Sequence, residues 1–249
     1  MARSAPADQG MATRPLLEMR WEDLLFAHWP VDPARIAARL PPGYEVDTFD
    51  DSGYLGVVPF VMADLWPTFV PSIPGGLSRS FGELNLRTYV VGPDGASGVY
   101  FFNLDADDWL SVRAARGLFR LPYYRAEMDV RRDDQHVRFE SSRTHDGAPA
   151  CEFAATYEPD DAARPSSPGV GSLEAWLIER YRFYTVDDGG QSFYGSIAHD
   201  PWAVVEAEAR FERNGLFEAN GFETPETEPT CLYAPATDVR AGRIRRLDS

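Results

Sequence analysis

Apolar and polar positions alternate with a period of two through residues 81–105. The pattern predicts two strands, 81–91 and 99–105, joined by a turn rich in Gly, Pro and Asp. On the first strand Phe81, Glu83, Asn85, Arg87 and Tyr89 share one face, while Leu84, Leu86, Thr88 and Val90 share the other. Matching polar to polar across the hairpin sets Asn103 and Asp105 beside Arg87 and Asn85, and puts Tyr100, Phe102 and Leu104 with the leucines. A solvated sheet face carries scattered Lys, Thr and Glu. This one gathers an acid, a guanidinium, amides and a tyrosine between large aromatics, which is the make-up of a pocket floor; an exposed face laced with salt bridges is the competing reading.

The rest of the chain yields to the same reading. A strand covers 21–29, with Leu24, Phe26 and His28 on one face and Trp21, Leu25 and Trp29 on the other. Asp32 and Pro33 open a helix that runs to Arg39. Residues 44–49 and 54–62 form a hairpin about the turn 50–53. The three prolines of 65–76 predict an irregular lid or packed loop. Asp107 or Asp108 caps a helix ending near Gly117. Strands follow at 123–131, 135–143 and 150–158, then an irregular crossing at 160–171. Ser172 caps a helix over 173–184 with the stripe Leu173, Trp176, Leu177 and Tyr181. Strands at 192–199, 204–212 and 231–239 complete the chain. About ten strands with two or three short helices predict a β-dominated α+β fold, closed as an antiparallel barrel. A single domain is expected over 15–240, between a disordered tail at 1–14 and a C-terminal tail at 241–249.

Composition narrows the partners. Of 249 residues, 44% are hydrophobic and 13% aromatic, ample for a packed core. No apolar run approaches the roughly 18 residues of a membrane span, and Pro6, Asp8 and Gly10 interrupt any signal peptide. With only Cys151 and Cys231, free thiols and a cytoplasmic location are expected. The net charge is −15 and every one of the 24 basic residues is arginine. Such a surface argues against nucleic acid, which needs a basic stripe. An acidic, lysine-free chain suits a halophile's cytoplasm, whereas a GC-rich genome accounts for the arginines but not for the acids. On the halophile reading, the melting temperature is expected to rise from low to molar potassium chloride as repulsion is screened; a flat or falling curve would remove that reading. Without lysine, no side chain forms a Schiff base and no P-loop exists.

Familiar catalytic motifs are absent. Gly169-x-Gly171 sits in no βαβ unit, no Gly-x-Ser-x-Gly elbow occurs, and the four histidines lack metal-ligand spacing. Neither a metal nor a cofactor is expected. His136 and His145 fall in polar hairpins. His28 and His199, each close to a tryptophan, read as buried structural histidines, with His199 kept among the ligand-binding candidates.

Taken together, His28-Trp29, Val58-Pro59-Phe60, the run 83–90 (Glu-Leu-Asn-Leu-Arg-Thr-Tyr-Val), residues 98–105, Leu121-Pro122-Tyr123, Glu179-Arg180-Tyr181 and His199-Asp200-Pro201-Trp202 resemble the YqjF-like family of bacterial and archaeal proteins. That family is distantly similar to the acetoacetate decarboxylase superfamily. The resemblance implies a cone-shaped antiparallel β-barrel around a central cavity. It also implies that Glu83 matches the pocket glutamate, and that Leu121-Pro122-Tyr123-Tyr124 stands where the decarboxylases carry Phe-Pro-Lys-Lys with the Schiff-base lysine. The cavity carries over; the amine chemistry does not.

Two functions remain open: a lysine-independent acid/base enzyme on a small carboxylate or carbonyl metabolite, or a non-catalytic binder on a decayed scaffold. The catalytic candidates are Glu83, as general acid or base, and Tyr123. The ligand-binding candidates are Asn85, Arg87, Tyr89, Phe101, Asn103, Asp105, Tyr124 and His199, with Arg87 pairing an anionic small-molecule ligand. A charged neighbour such as Arg87 is expected to oppose any upward shift of the Glu83 pKa.

Overall fold

Strands dominate the structure, as the alternation predicts, and they join into one sheet. The computed structural model describes residues 15–69, 80–133, 136–160 and 162–247. In chain order the strands are β1 (Leu17–Val31), β2 (Glu45–Val46), β3 (Gly53–Pro67), β4 (Phe81–Val91), β5 (Ser97–Ala106), β6 (Tyr123–Arg132), β7 (Val137–Arg143), β8 (Glu152–Pro159), β9 (Arg182–Val186), β10 (Ser192–Ala198), β11 (Val205–Asn214), β12 (Thr230–Ala241) and β13 (Arg245–Arg246). The helices are α1 (Pro33–Ala37), α2 (Trp109–Phe119), α3 (Leu173–Ile178) and α4 (Leu216–Ala219). Asp32, Asp108 and Ser172 cap the first three through their side chains. None of these helices is long and apolar enough to cross a membrane.

The sheet closes on itself twice. Pairing runs β4–β5–β9–β10–β12–β1–β3 and back to β4. A second path, β5–β6–β7–β8–β11–β12–β1–β3–β4, closes a nine-stranded barrel and shares the wall β12–β1–β3–β4–β5. The shared strands are covered on both faces, so every residue of β4 except the last is buried. Alternation then sorts side chains between two interiors: Leu24, Phe26, Phe60, Leu104 and Phe183 pack in one, and Leu25, Val57, Leu84, Leu86 and Phe153 in the other. Ladders are antiparallel except at β5, whose first half runs parallel to β9 and whose second half runs parallel to β6.

Several expectations change. The 44–49/54–62 hairpin does not form; β2 pairs with β4, and only Phe49 bridges Ser52. β3 continues through Pro67, while 70–76 of the expected irregular segment lie outside the described residues, as do 1–14 of the expected tail. The helix over 173–184 stops at Ile178. Residues 182–186 instead fill the gap between β5 and β10 as β9, where two ladders outweigh local helix preference. Leu177 and Ile178 are buried, while Tyr181 lies beyond the helix and stacks on His199. At the other terminus Ala241 ends β12, and β13 pairs with Phe193 and Tyr194 where a tail was expected.

Two bulges decide which interior each side chain enters. In β5 the register against β4 shifts by one between Arg87–Phe101 and Leu86–Asn103. Phe101 stays on the Glu83/Arg87 face, but beyond the extra residue, Phe102, every side chain changes sides. In β1 the register against β3 shifts between Glu22 and Ala27, around Asp23 with φ of 53°. That shift carries Trp21, expected with Leu25 and Trp29, into the same interior as Leu24 and Phe26.

Candidate functional site

Strands β4, β5, β9, β10, β12, β1 and β3 enclose a cavity of about 470 Å³, within the usual size of a small-molecule site. Its walls are mostly apolar, with Phe26, Phe60, Phe81, Phe101, Leu104 and Phe183 among them. Leu110, Ala114 and Leu118 of α2 cover it on the side where β5 ends. Nine buried side-chain atoms have no hydrogen-bond partner among the described residues. Six of them belong to residues lining this cavity: Trp21 Nε1, Asn85 Oδ1, Arg87 Nε, Arg180 Nη2, Arg182 Nε and His199 Nε2. Natural proteins rarely leave buried polar atoms unpaired. Their concentration here sets this cavity apart from the rest of the interior.

Glu83 and Tyr123 form one pole. Glu83 is 3% exposed, and the Tyr123 hydroxyl donates to its Oε2 at 2.8 Å. Burial pushes the Glu83 carboxyl up to about 8, against the opposing pull of the Tyr123 hydrogen bond. The same burial, with Glu83 beside it, holds the Tyr123 phenol well above its ordinary value. The opposition expected from Arg87 does not arise; among the described residues Tyr123 alone resists the shift. Four residues apart on one strand, the Cα atoms of Glu83 and Arg87 lie roughly 13 Å apart. Burial therefore favours the protonated Glu83 carboxyl at neutral pH, and with Oε2 accepting from Tyr123 the proton is placed on Oε1.

Arg87 forms the second pole. Its guanidinium lies over the rings of Phe26 at 5.4 Å and Tyr89 at 6.0 Å, and no carboxylate pairs with it among the described residues. Arg180 stands nearby over Tyr89, bonded to Asp47 at 2.9 Å and to the Trp176 carbonyl at 2.7 Å. Behind them the Tyr89 hydroxyl donates to the Leu177 carbonyl at 2.6 Å and meets His28 Nε2 at 2.7 Å. A carbonyl only accepts and a phenol has one proton, so His28 carries its proton on Nε2. Burial, then the charges of Arg87 and Arg180, hold the His28 imidazole well below the usual histidine range. The buried-histidine reading of His28 fits this arrangement.

His28, Gly56 and Arg87 are direct cross-strand neighbours. A Cβ on Gly56 would lie 2.8 Å from the His28 ring and 3.3 Å from Arg87 Cγ. Gly56→Ala is therefore expected to cost about 1–3 kcal/mol through overpacking, measured by denaturant unfolding; an unchanged midpoint would mean that this row yields freely.

Of the residues singled out by sequence, Glu83, Tyr123, Asn85, Arg87, Phe101 and His199 line the cavity. Tyr89 is fully buried behind Arg87 as its support. Asn103, Asp105 and Tyr124 do not reach it. Beyond the β5 bulge, Asn103 accepts from Asn220 at 2.5 Å, and Asp105 holds Arg143 through two bonds of 2.8 Å. Tyr124, on the face opposite Tyr123, receives the Arg143 guanidinium at 4.4 Å. These three serve the second interior. Trp21, Arg182 and the inner side of α2 were missed. Arg180 and Arg182 alternate as strand residues do, but that signal lay inside a segment with a helical stripe. No cluster of three or more metal-ligating residues occurs among the described residues.

Comparison with known proteins agrees with this architecture. The family model DUF2071, described as "Uncharacterized conserved protein (COG2071)", matches residues 18–238. The chain is 39% identical over 231 residues to "Uncharacterized protein YqjF" of Bacillus subtilis (strain 168), covering 93% of this chain and 92% of that one. Among solved structures, the enduracididine biosynthesis enzyme MppR complexed with pyruvate superposes with a TM-score of 0.67 at 13% identity, over 97% of this chain and 93% of that one. Acetoacetate decarboxylase from Legionella pneumophila gives 0.61 at 12% identity, over 100% and 98%. At these identities the likeness establishes the fold, which is acetoacetate decarboxylase-like.

Proposed function

We propose that this chain, which belongs to the DUF2071 family, binds a small carboxylate in the barrel cavity and performs proton-transfer chemistry on it without an amine. Arg87 pairs the carboxylate: a buried guanidinium with no acid beside it among the described residues is completed by a planar anion. Glu83 supplies a proton from Oε1 to an oxygen that gains negative charge, as in enolisation of a 2-oxo acid whose C3 proton passes to a solvent water, and both transfers run backwards in the reverse step. Tyr123 steadies the carboxylate so formed through its hydrogen bond to Oε2. The observation that carries this reading is the separation, within one apolar cavity, of a buried carboxyl with a raised pKa from a guanidinium that has no carboxylate partner among the described residues. A neighbour in fold that is complexed with pyruvate supports a carboxylate occupant. A side-chain imine is closed to this chain, since it has no lysine.

A non-catalytic binder is the second reading, favoured by the tyrosine at 123, where the resemblance implies a lysine. Both readings require anion recognition. Calorimetric titration with 3-phenylpropanoate and its primary amide tests it: the acid is expected to bind at least about tenfold more tightly, from a charge-assisted bond at Arg87. Equal affinities, or no binding of the acid, would overturn the carboxylate reading.

A further inference from the structure

A third polar station in the cavity involves neither Glu83 nor Arg87. Trp21 sits beyond the Asp23 bulge of β1, and His199 follows β10, on the wall across from β4. Both rings flank Trp202, at centroid distances of 6.2 and 4.8 Å. Each presents one buried atom without a hydrogen-bond partner among the described residues, Trp21 Nε1 and His199 Nε2. Their senses are opposite and fixed. An indole nitrogen only donates. His199 Nδ1 lies 2.7 Å from the Asp200 carbonyl oxygen, which only accepts, so the proton is on Nδ1 and Nε2 offers a bare lone pair. Burial keeps the imidazole neutral by lowering its pKa. The ring is also held in place: Tyr181 stacks on it at 4.6 Å and is fastened to Glu179, which accepts the Trp202 backbone N–H at 2.9 Å.

Aromatic rings separate this station from the guanidinium. Arg87 lies over Phe26, and Phe26 meets Trp202 edge-on at 4.9 Å. The charged groups that act on His199 are Glu179 and Asp200, not the cavity arginines. A ligand reaching from one station to the other crosses an apolar stretch.

We propose that Trp21 and His199 recognise a hydroxyl group, and that the ligand is a mainly apolar hydroxy-carboxylate with its carboxylate at Arg87 and its hydroxyl between Trp21 Nε1–H and His199 Nε2. This rests on the carboxylate reading of the cavity. A hydroxyl accepts from the indole and donates to the imidazole with one oxygen, satisfying both atoms. A ketone leaves Nε2 bare, an ammonium leaves the indole unpaired, and a second anion meets the Nε2 lone pair repulsively.

The test uses two matched pairs of acids, 3-(4-hydroxyphenyl)propanoate against 3-phenylpropanoate and 8-hydroxyoctanoate against octanoate, titrated calorimetrically. In the wild type the hydroxylated member of at least one pair is expected to bind roughly tenfold more tightly, for two buried hydrogen bonds. His199→Phe and Trp21→Phe keep an aromatic ring and should reduce that preference to about twofold or less. In the wild type, the Trp21 indole N–H proton resonance should also move on adding the hydroxylated acid but not its partner, a readout that needs no variant. Binding of the plain acids with no preference in either pair overturns the hydroxyl site alone, as does a preference that survives both variants. Binding of none of the four acids overturns the carboxylate reading and this inference with it.

Discussion

Glu83→Gln is expected to be more stable than the wild type above pH 8 and equally stable below pH 4.5. The carboxyl titrates near 4.5 when exposed and at about 8 in the fold. Between these values the folded chain holds a proton that the unfolded chain releases, so wild-type stability falls as pH rises through that window and levels off above it. A shift of this size corresponds to about 4–5 kcal/mol. Glutamine keeps the shape of the group and an oxygen to accept from Tyr123, and it never ionises. The difference between variant and wild-type unfolding free energies, measured by denaturant from pH 4 to 9, isolates this one group from the other titrations. A difference that stays flat across that range would show that Glu83 is not buried as an acid. The same variant separates the two functions. If the chain is an enzyme, exchange of the α-proton of 2-oxo-4-phenylbutanoate in D₂O should fall by roughly 100-fold or more with the loss of the general acid. If it is a binder, only ligand affinity changes.

Arg87→Met should uncouple stability from binding. The residue is 9% exposed and its guanidinium, among the described residues, rests on aromatic faces without a carboxylate partner. A charge buried on those terms costs the free protein stability, and on the proposed function it is retained for the carboxylate it binds. Methionine fills similar space without the charge, so the ligand-free melting temperature is expected to hold or rise. Binding of 3-phenylpropanoate should weaken by about 2–5 kcal/mol, roughly 30-fold to several-thousand-fold. Calorimetry and thermal melts on the same preparation give both quantities. A variant that binds the acid as tightly as the wild type would remove Arg87 from the site.

The polar face of β4 was legible because alternation is local. Once residues 81–91 are a strand, Glu83, Asn85 and Arg87 must share a side, and Phe101 joins them because it lies between the turn and the bulge. Net charge and the missing lysine likewise follow from composition, and they excluded amine chemistry before any fold was known. What the sequence could not supply is where alternation changes phase. At Phe102 the extra residue moves Asn103 and Asp105 to the second interior, where Asn220 and Arg143, both distant in sequence, wait for them. At Asp23 the kink is held by the hydroxyls of Tyr157 and Tyr233 and by Arg132, and it delivers Trp21 to the cavity. Each bulge depends on partners far along the chain, so no window of local pattern contains it. Residues 182–186 show the same limit: the two ladders that make them β9 lie on β5 and β10. The alternating pattern determined which side chains travel together, and only the closed sheet decided which of two interiors they enter.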